Sequence, residues 1–203
     1  VVNNVISLAT VPIIMDKGAS FYANYGMGRS KGTLPIQLAG NLKQTGLVEK
    51  AFGISLKELL YDFGGGSATG RPIKAVQVGG PLGAFLPEAQ FDIPLDYEKF
   101  SEIKAVVGHG GIVAFDDTVN MSKMARYSFE FCAIESCGKC TPCRVGTSKA
   151  TEMMKEKKWN VPLLTELSEC MSDASICGLG QAASNPLKSV IKYFPNEPET
   201  SKS

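Results

Sequence analysis

The 203-residue chain carries 21 Lys and Arg against 20 Asp and Glu, a single His, and 44% hydrophobic residues. That near-balance excludes the basic footprint of a nucleic-acid binder or of a protein held on an anionic membrane. The most apolar stretch, Ala105 to Phe115, is too short to span a bilayer.

No signal peptide is visible and the chain opens on Val1 rather than Met, so it reads as a fragment or processed chain with part of its function upstream. Residues 1–32 predict a helix capped by Asn4, followed by a glycine-broken loop, "NYGMGRSKG". Residues 33–100 predict a β-rich segment with one helix. Short strands lie in "TLPIQLAGNLKQTGLVEKAFG", helical leucines in "ISLKELLYDFG" stop at Gly64 to Gly66, and "KAVQVGGPLGAFLP" gives strand, Gly-Pro turn, strand. Residues 101–117 form a connector with one strand, "GGIVAF".

From Thr118 the apolar period becomes 3.6. Met121, Met124, Ala125, Phe129 and Cys132 mark one helix, a second leaves Cys143 toward Lys157, and a third covers Pro162 to Met171. A fourth starts with Asn185 as N-cap and Pro186 at the first helical position. Short loops between four such helices predict a small bundle over residues 118–203.

Half of the six cysteines fall in "ESCGKCTPCR", where Cys137, Cys140 and Cys143 keep a strict three-residue step. A disulfide framework is disfavoured, because such close cysteines pair poorly and the chain looks intracellular. A zinc site normally joins two separated knuckles, whereas one tight loop would crowd three thiolates onto a small tetrahedron. A cubane has separate iron corners that such a loop can wrap, so the spacing favours a [4Fe–4S] cluster, with zinc as the alternative. Among the remaining cysteines, Cys132 and Cys170 continue apolar helix stripes and read as core. Cys177, in the glycine-flanked "SICGLG", is the expected fourth ligand. Lys139, Arg144 and the start of the second helix would favour the reduced, more negative cluster.

Two other signals are weaker. "GGGSATG" (Gly64 to Gly70) follows a helix instead of opening one, so it reads as C-cap and turn, not a phosphate loop. His109 in "GHGG" reads as a turn residue. Asn4 and Ser7 leave the first-turn N–H groups of their helix in the geometry that receives a phosphate, an ordinary capped helix being the alternative.

The run "VNNV", the strand-rich middle, "ESCGKCTPCR" and a late lone cysteine occur in that order. In this the chain resembles the C-terminal half of the NADH-oxidising FMN/iron–sulfur flavoprotein subunits, found in respiratory complex I and in NAD-linked formate dehydrogenases and hydrogenases. "AVQVGGPLGAFLP", "FDIPLDYEKF", "GHGGIVAFDDTVNM" and "EFCAIESCGKCTPCRVG" look closest to the beta subunit of NAD-dependent formate dehydrogenase. The resemblance implies an α+β fold. Residues 1–32 would end a flavin domain, 33–100 form a soluble-ligand-binding β-grasp domain, 101–117 connect, and 118–203 form a four-helix bundle holding the cluster. It also implies ligation by Cys137, Cys140, Cys143 and Cys177. Asn3 and Asn4 match the family's flavin-contacting asparagines, Ser7 keeps a hydroxyl where many members have Thr, and Ile6 replaces their usual Glu. The FMN and NAD sites would lie mostly in an upstream Rossmann-like domain. Implied partners are that domain, a small thioredoxin-like [2Fe–2S] subunit, and a catalytic or iron–sulfur subunit, all cytoplasmic.

Overall fold

The fold was taken from a computed structural model, which describes residues 1–199. Asn4 starts its first helix: Oδ1 accepts the Ile6 N–H at 2.8 Å, and α1 runs Val5–Lys17. No residue of α1 is buried. A short helix α2 (Ala19–Ala23) follows, and the glycine-broken loop folds into a small hairpin of β1 (Gly26–Met27) and β2 (Ser30–Lys31).

Alternation then builds the main sheet. In β3 (Thr33–Gly40), Leu34, Ile36 and Leu38 are buried at a period of two. β3 pairs antiparallel with β4 (Gly46–Ala51), Ile36 standing opposite Val48. A capping box between Ser55 and Glu58 starts α3 (Leu56–Glu58), which widens into a π turn over Leu59–Phe63 and stops at Gly64. Gly65 and Gly66 both have positive φ, so "GGGSATG" is the expected cap and turn. β5 (Ile73–Val78) and β6 (Phe85–Pro87) form a hairpin whose turn is closed by Gly83 N–H to Gly80 O at 2.8 Å. Asp96 caps α4 (Tyr97–Glu102), accepting the Lys99 N–H at 2.8 Å.

The segment expected to be a connector contains the middle of the sheet. β7 (Gly111–Asp116) lies parallel to β3 and antiparallel to β5, in the order β4-β3-β7-β5-β6. A boundary after residue 100 therefore cuts through the sheet. A central strand that enters last has no partner next to it in sequence, and six residues among glycines carry little local sign of their place.

Phe85 and Leu86, adjacent in β6, point to opposite cores. Leu86 joins the sheet core with Ile36, Leu56, Leu59, Phe91 and Phe100, while Phe85 joins the helical core. That second core is built by α5 (Met121–Glu135), α6 (Thr141–Met153), α7 (Val161–Ala174), α8 (Gly178–Ala182) and α9 (Asn185–Tyr193). The phases match the predicted stripe on α5: Met121, Ala125, Phe129 and Cys132 are buried. Differences lie at the ends. α6 starts before Cys143 because Pro142 suits a first helical turn, Ser184 and not Asn185 is the N-cap residue of α9, and α8 was not anticipated. Gly146 of α6 allows close approach to α7, since a Cβ there would come within 2.6 Å of Met171 Cγ and Sδ. Among the described residues, no helix is long and apolar enough to cross a membrane.

Candidate metal centre

Ser136 leaves α5 in an extended conformation and leads the chain into the cysteine loop. Gly138 turns that loop at φ +73, a conformation L side chains avoid. Arg144 reaches back from α6 and donates Nη1 to Gly138 O at 2.7 Å, holding the turn shut. Cys140 is the N-cap residue of α6, and Cys143 sits in its first turn. The three-residue step thus becomes one thiol on the loop and two at a helix start. Cys177 occupies the N-cap position of α8, and neither cysteine cap makes a side-chain capping bond.

Packing brings these two stretches together. A Cβ on Gly180 of α8 would come within 2.6 Å of Ser175 Cβ and 2.9 Å of Cys143 Cβ. The Ile176 N–H holds the Cys140 thiol below the usual cysteine range against its partial desolvation. Ser136 Oγ lies 3.3 Å from Cys143 Sγ. Cys143 is buried, Cys140 half-buried, and Cys137 and Cys177 are exposed. Ile134 and Ile176, near the exposed thiols in sequence, are 81% and 76% exposed.

Among the described residues, no three His, Cys, Asp or Glu side chains are grouped to hold a single metal ion. A cubane makes a different demand, one thiolate per iron corner with N–H groups turned to the sulfurs. Three thiols of the loop and α6, with Cys177 entering beside Ser175 and Ile176, fit that group as a donor set. The other two cysteines differ in setting. Cys132 is fully buried, and burial, with Cys143 close by, pushes its thiol up to about 12. Cys170 is exposed, contrary to its expected place in the core: α7 buries Leu164, Ser168 and Met171, and Cys170 lies one residue, about 100°, off that face.

Asn3, Asn4 and Ser7 are exposed at the start of α1, where Asn4 Oδ1 is engaged by the cap. Asn4 and Ser7 line a cavity of about 450 Å³ together with Arg29, Lys31 and His109; Asn3 and the cysteines do not. His109 sits in its glycine turn, with Nδ1 accepting the Gly111 N–H at 3.2 Å.

Residues 123–201, which include all six cysteines, match the NADH-ubiquinone oxidoreductase-F iron–sulfur binding region. Curated proteins match nearly the whole chain, two of them as follows. The NADP-reducing hydrogenase subunit HndC of Solidesulfovibrio fructosivorans is 40% identical over 205 residues, 98% of this chain and 42% of its own length. The F subunit of the NADH-quinone oxidoreductase of Escherichia coli K12 is 35% identical over 203 residues, 97% and 46%. Along nearly its whole length the chain is similar to NADH-oxidising subunits of this kind. A solved NAD⁺-reducing [NiFe]-hydrogenase in the H₂-reduced state agrees in fold, with a TM-score of 0.87 and 31% identity over 98% of this chain and 34% of that one. The chain spans about half the length of the curated relatives that it matches.

Within this family region the sequence reasoning passed over Ser136 and Ser175, both of which border cysteine sulfurs. Their signal was present, a serine one or two residues before a cysteine in "SC" and "SIC". A serine is so ordinary in a loop that nothing but the fold distinguishes these two.

Proposed function

We propose that this chain holds a [4Fe–4S] cluster on Cys137, Cys140, Cys143 and Cys177 and relays single electrons inside the NADH-oxidising subunit of a larger oxidoreductase. The carrying observation is the meeting of the loop at Cys140 with the segment Ser175 to Cys177. When bound, the cluster supplies one-electron carriage. The chain's own residues do the rest. The N–H groups of Ile176 and Cys143 and the start of α6 face the sulfurs and favour negative charge there. Arg144 keeps the loop closed, and Lys139 adds positive charge on its exposed side.

FMN and NAD belong to the rest of the subunit in this proposal, with Asn3, Asn4 and Ser7 reaching the FMN phosphate. Helix α1 supports a covering domain: Val5, Leu8, Val11, Ile13 and Met15 are all exposed, and a helix apolar on every side is normally enclosed. Hydride exchange with NAD would occur in that upstream FMN/NADH-binding domain. A thioredoxin-like [2Fe–2S] subunit and a catalytic or iron–sulfur subunit, in the cytoplasm, would exchange electrons with the cluster. The mixed sheet with β7 at its centre supports the β-grasp assignment, and α5, α6, α7 and α9 support the four-helix bundle. Among finer assignments, formate dehydrogenase rests on the quoted motifs, while the 40% identity to HndC favours a hydrogenase.

Anaerobically prepared protein should contain about four iron and four acid-labile sulfide per chain. One tightly bound zinc without labile sulfide would overturn the proposal. The isolated chain should not reduce ferricyanide with NADH, and supplying the rest of the subunit should confer that activity.

A further inference from the structure

Five hydroxyls inside the helical half follow one habit. Ser128, Thr147, Thr151, Ser168 and Ser172 each donate to the carbonyl four residues earlier, at 2.7–3.1 Å. Ser175 departs from it. The residue is 5% exposed, and its Oγ is buried with no hydrogen-bond partner in the fold. Leaving a buried hydroxyl unpaired is costly, so its setting needs an explanation.

The surroundings leave Ser175 little freedom. Its N–H donates to Met171 O at 3.2 Å, and its carbonyl accepts Gln181 Nε2 at 3.0 Å. Gly180 closes the other side so tightly that a Cβ there would collide with Ser175 Oγ and Cβ. The same Cβ position lies 2.9 Å from Cys143 Cβ, so the hydroxyl stands beside the start of α6, where Cys140 and Cys143 sit. Ser122, another buried serine hydroxyl without a partner, lies at the opposite end of α5 from the cysteine loop.

We propose that Ser175 is a tuning donor for the cluster: its O–H donates to Cys140 Sγ or to the sulfide beside it and raises the reduction potential. The inference rests on the cluster assignment made above. Reduction adds one electron and no proton, and the added charge falls partly on the sulfurs. A fixed donor in a desolvated pocket therefore stabilises the reduced form more than the oxidised one. Such a hydroxyl also explains why position 180 is glycine, because any side chain there would displace it.

The test is Ser175→Ala in the full chain, reconstituted anaerobically with iron and sulfide and titrated with dithionite under EPR. Iron and sulfide content should equal that of the unmodified protein. The reduced-to-oxidised ratio at a fixed potential should fall about tenfold, a midpoint lower by about 59 mV for one electron. In D₂O, pulsed EPR should detect an exchangeable deuteron coupled to the reduced cluster that is missing from Ser175→Ala and retained in Ser122→Ala. An unchanged midpoint or unchanged coupling would overturn the proposal. So would loss of the cluster from Ser175→Ala, which would make the residue purely structural. Failure of the unmodified chain to bind four irons would instead sink the cluster assignment, and it would be seen before any variant was made.

Discussion

Substituting Gly180 by alanine tests whether the two cysteine-bearing stretches meet as described. The backbone at this position has no positive φ, so alanine is not strained there and gains up to about 1 kcal/mol of helix propensity. Against that gain, the new Cβ would lie 2.6 Å from Ser175 Cβ and 2.9 Å from Cys143 Cβ. Carbon atoms prefer about 3.5–4.0 Å, so α8 must withdraw by about 1 Å. Neither neighbour can swing away, because each Cβ is fixed by its own backbone. Overpacking of this kind costs about 1–3 kcal/mol, leaving a net loss of up to about 2 kcal/mol. The larger effect is local, since withdrawal of α8 carries Cys177 away from the other three thiols. Gly180→Ala should therefore fold, denature at modestly lower urea, and retain well under the normal iron per chain. Gly178→Ala, on the same helix, is the control, because a Cβ added there would meet no atom within 4 Å. Iron analysis and urea denaturation of both variants decide the matter. Normal iron content in Gly180→Ala would refute the packing argument.

Other outcomes follow from the same site and core. Serine at Cys137, Cys140, Cys143 or Cys177 should abolish or strongly perturb the cluster spectrum. Alanine at Cys132 or Cys170 should preserve it, with about 1 kcal/mol lost at the buried Cys132 and less at the exposed Cys170; bleaching by Cys170→Ala but not by Cys177→Ser would reverse the ligand assignment. Asp116 accepts hydrogen bonds from the Thr118 hydroxyl and N–H and from the Thr69 hydroxyl, which hold its carboxyl below the usual range. Its stabilising effect is then complete above the ordinary carboxylate value of about 4 and is lost as pH falls through the lower folded value. Asp116→Asn should accordingly be less stable than the unmodified chain at pH 7, and the two should converge in acid; a constant difference across that range, measured by urea denaturation, would contradict this.

The sequence was most legible where one residue type has few alternatives. Asn4 as a cap, the glycine stop after Phe63 and the apolar stripe of α5 each follow from local chemistry, and the fold places them accordingly. It was least legible where position depends on distant partners. The strand "GGIVAF" was visible, but not that two hairpins close on it. Cys170 was assigned to the core because Leu167 and Met171 suggested an apolar stripe, yet one residue of phase puts it in solvent. The expected start of the second bundle helix at Cys143 missed the pull of Pro142, and so missed that Cys140 occupies a cap position. Ser175 could not be distinguished at all, since its environment is assembled from α6, α8 and the end of α7.

The central place of β7 also sets an order of events for a chain emerging from the ribosome. Until Gly111–Asp116 has been made, the hairpins β3–β4 and β5–β6 each keep an unsatisfied inner edge, with β3 and β5 awaiting the same strand. Joining β3 to β7 means closing a loop from Gly40 to Gly111 before parallel pairing repays the entropy, which makes this the slow step of the sheet. Met121 begins α5 only a few residues beyond the end of β7, so the helical half is anchored as that step completes. Nascent chains halted before residue 111 should be the aggregation-prone ones, whereas chains halted after residue 116 already have the sheet that orients the cysteine-bearing helices.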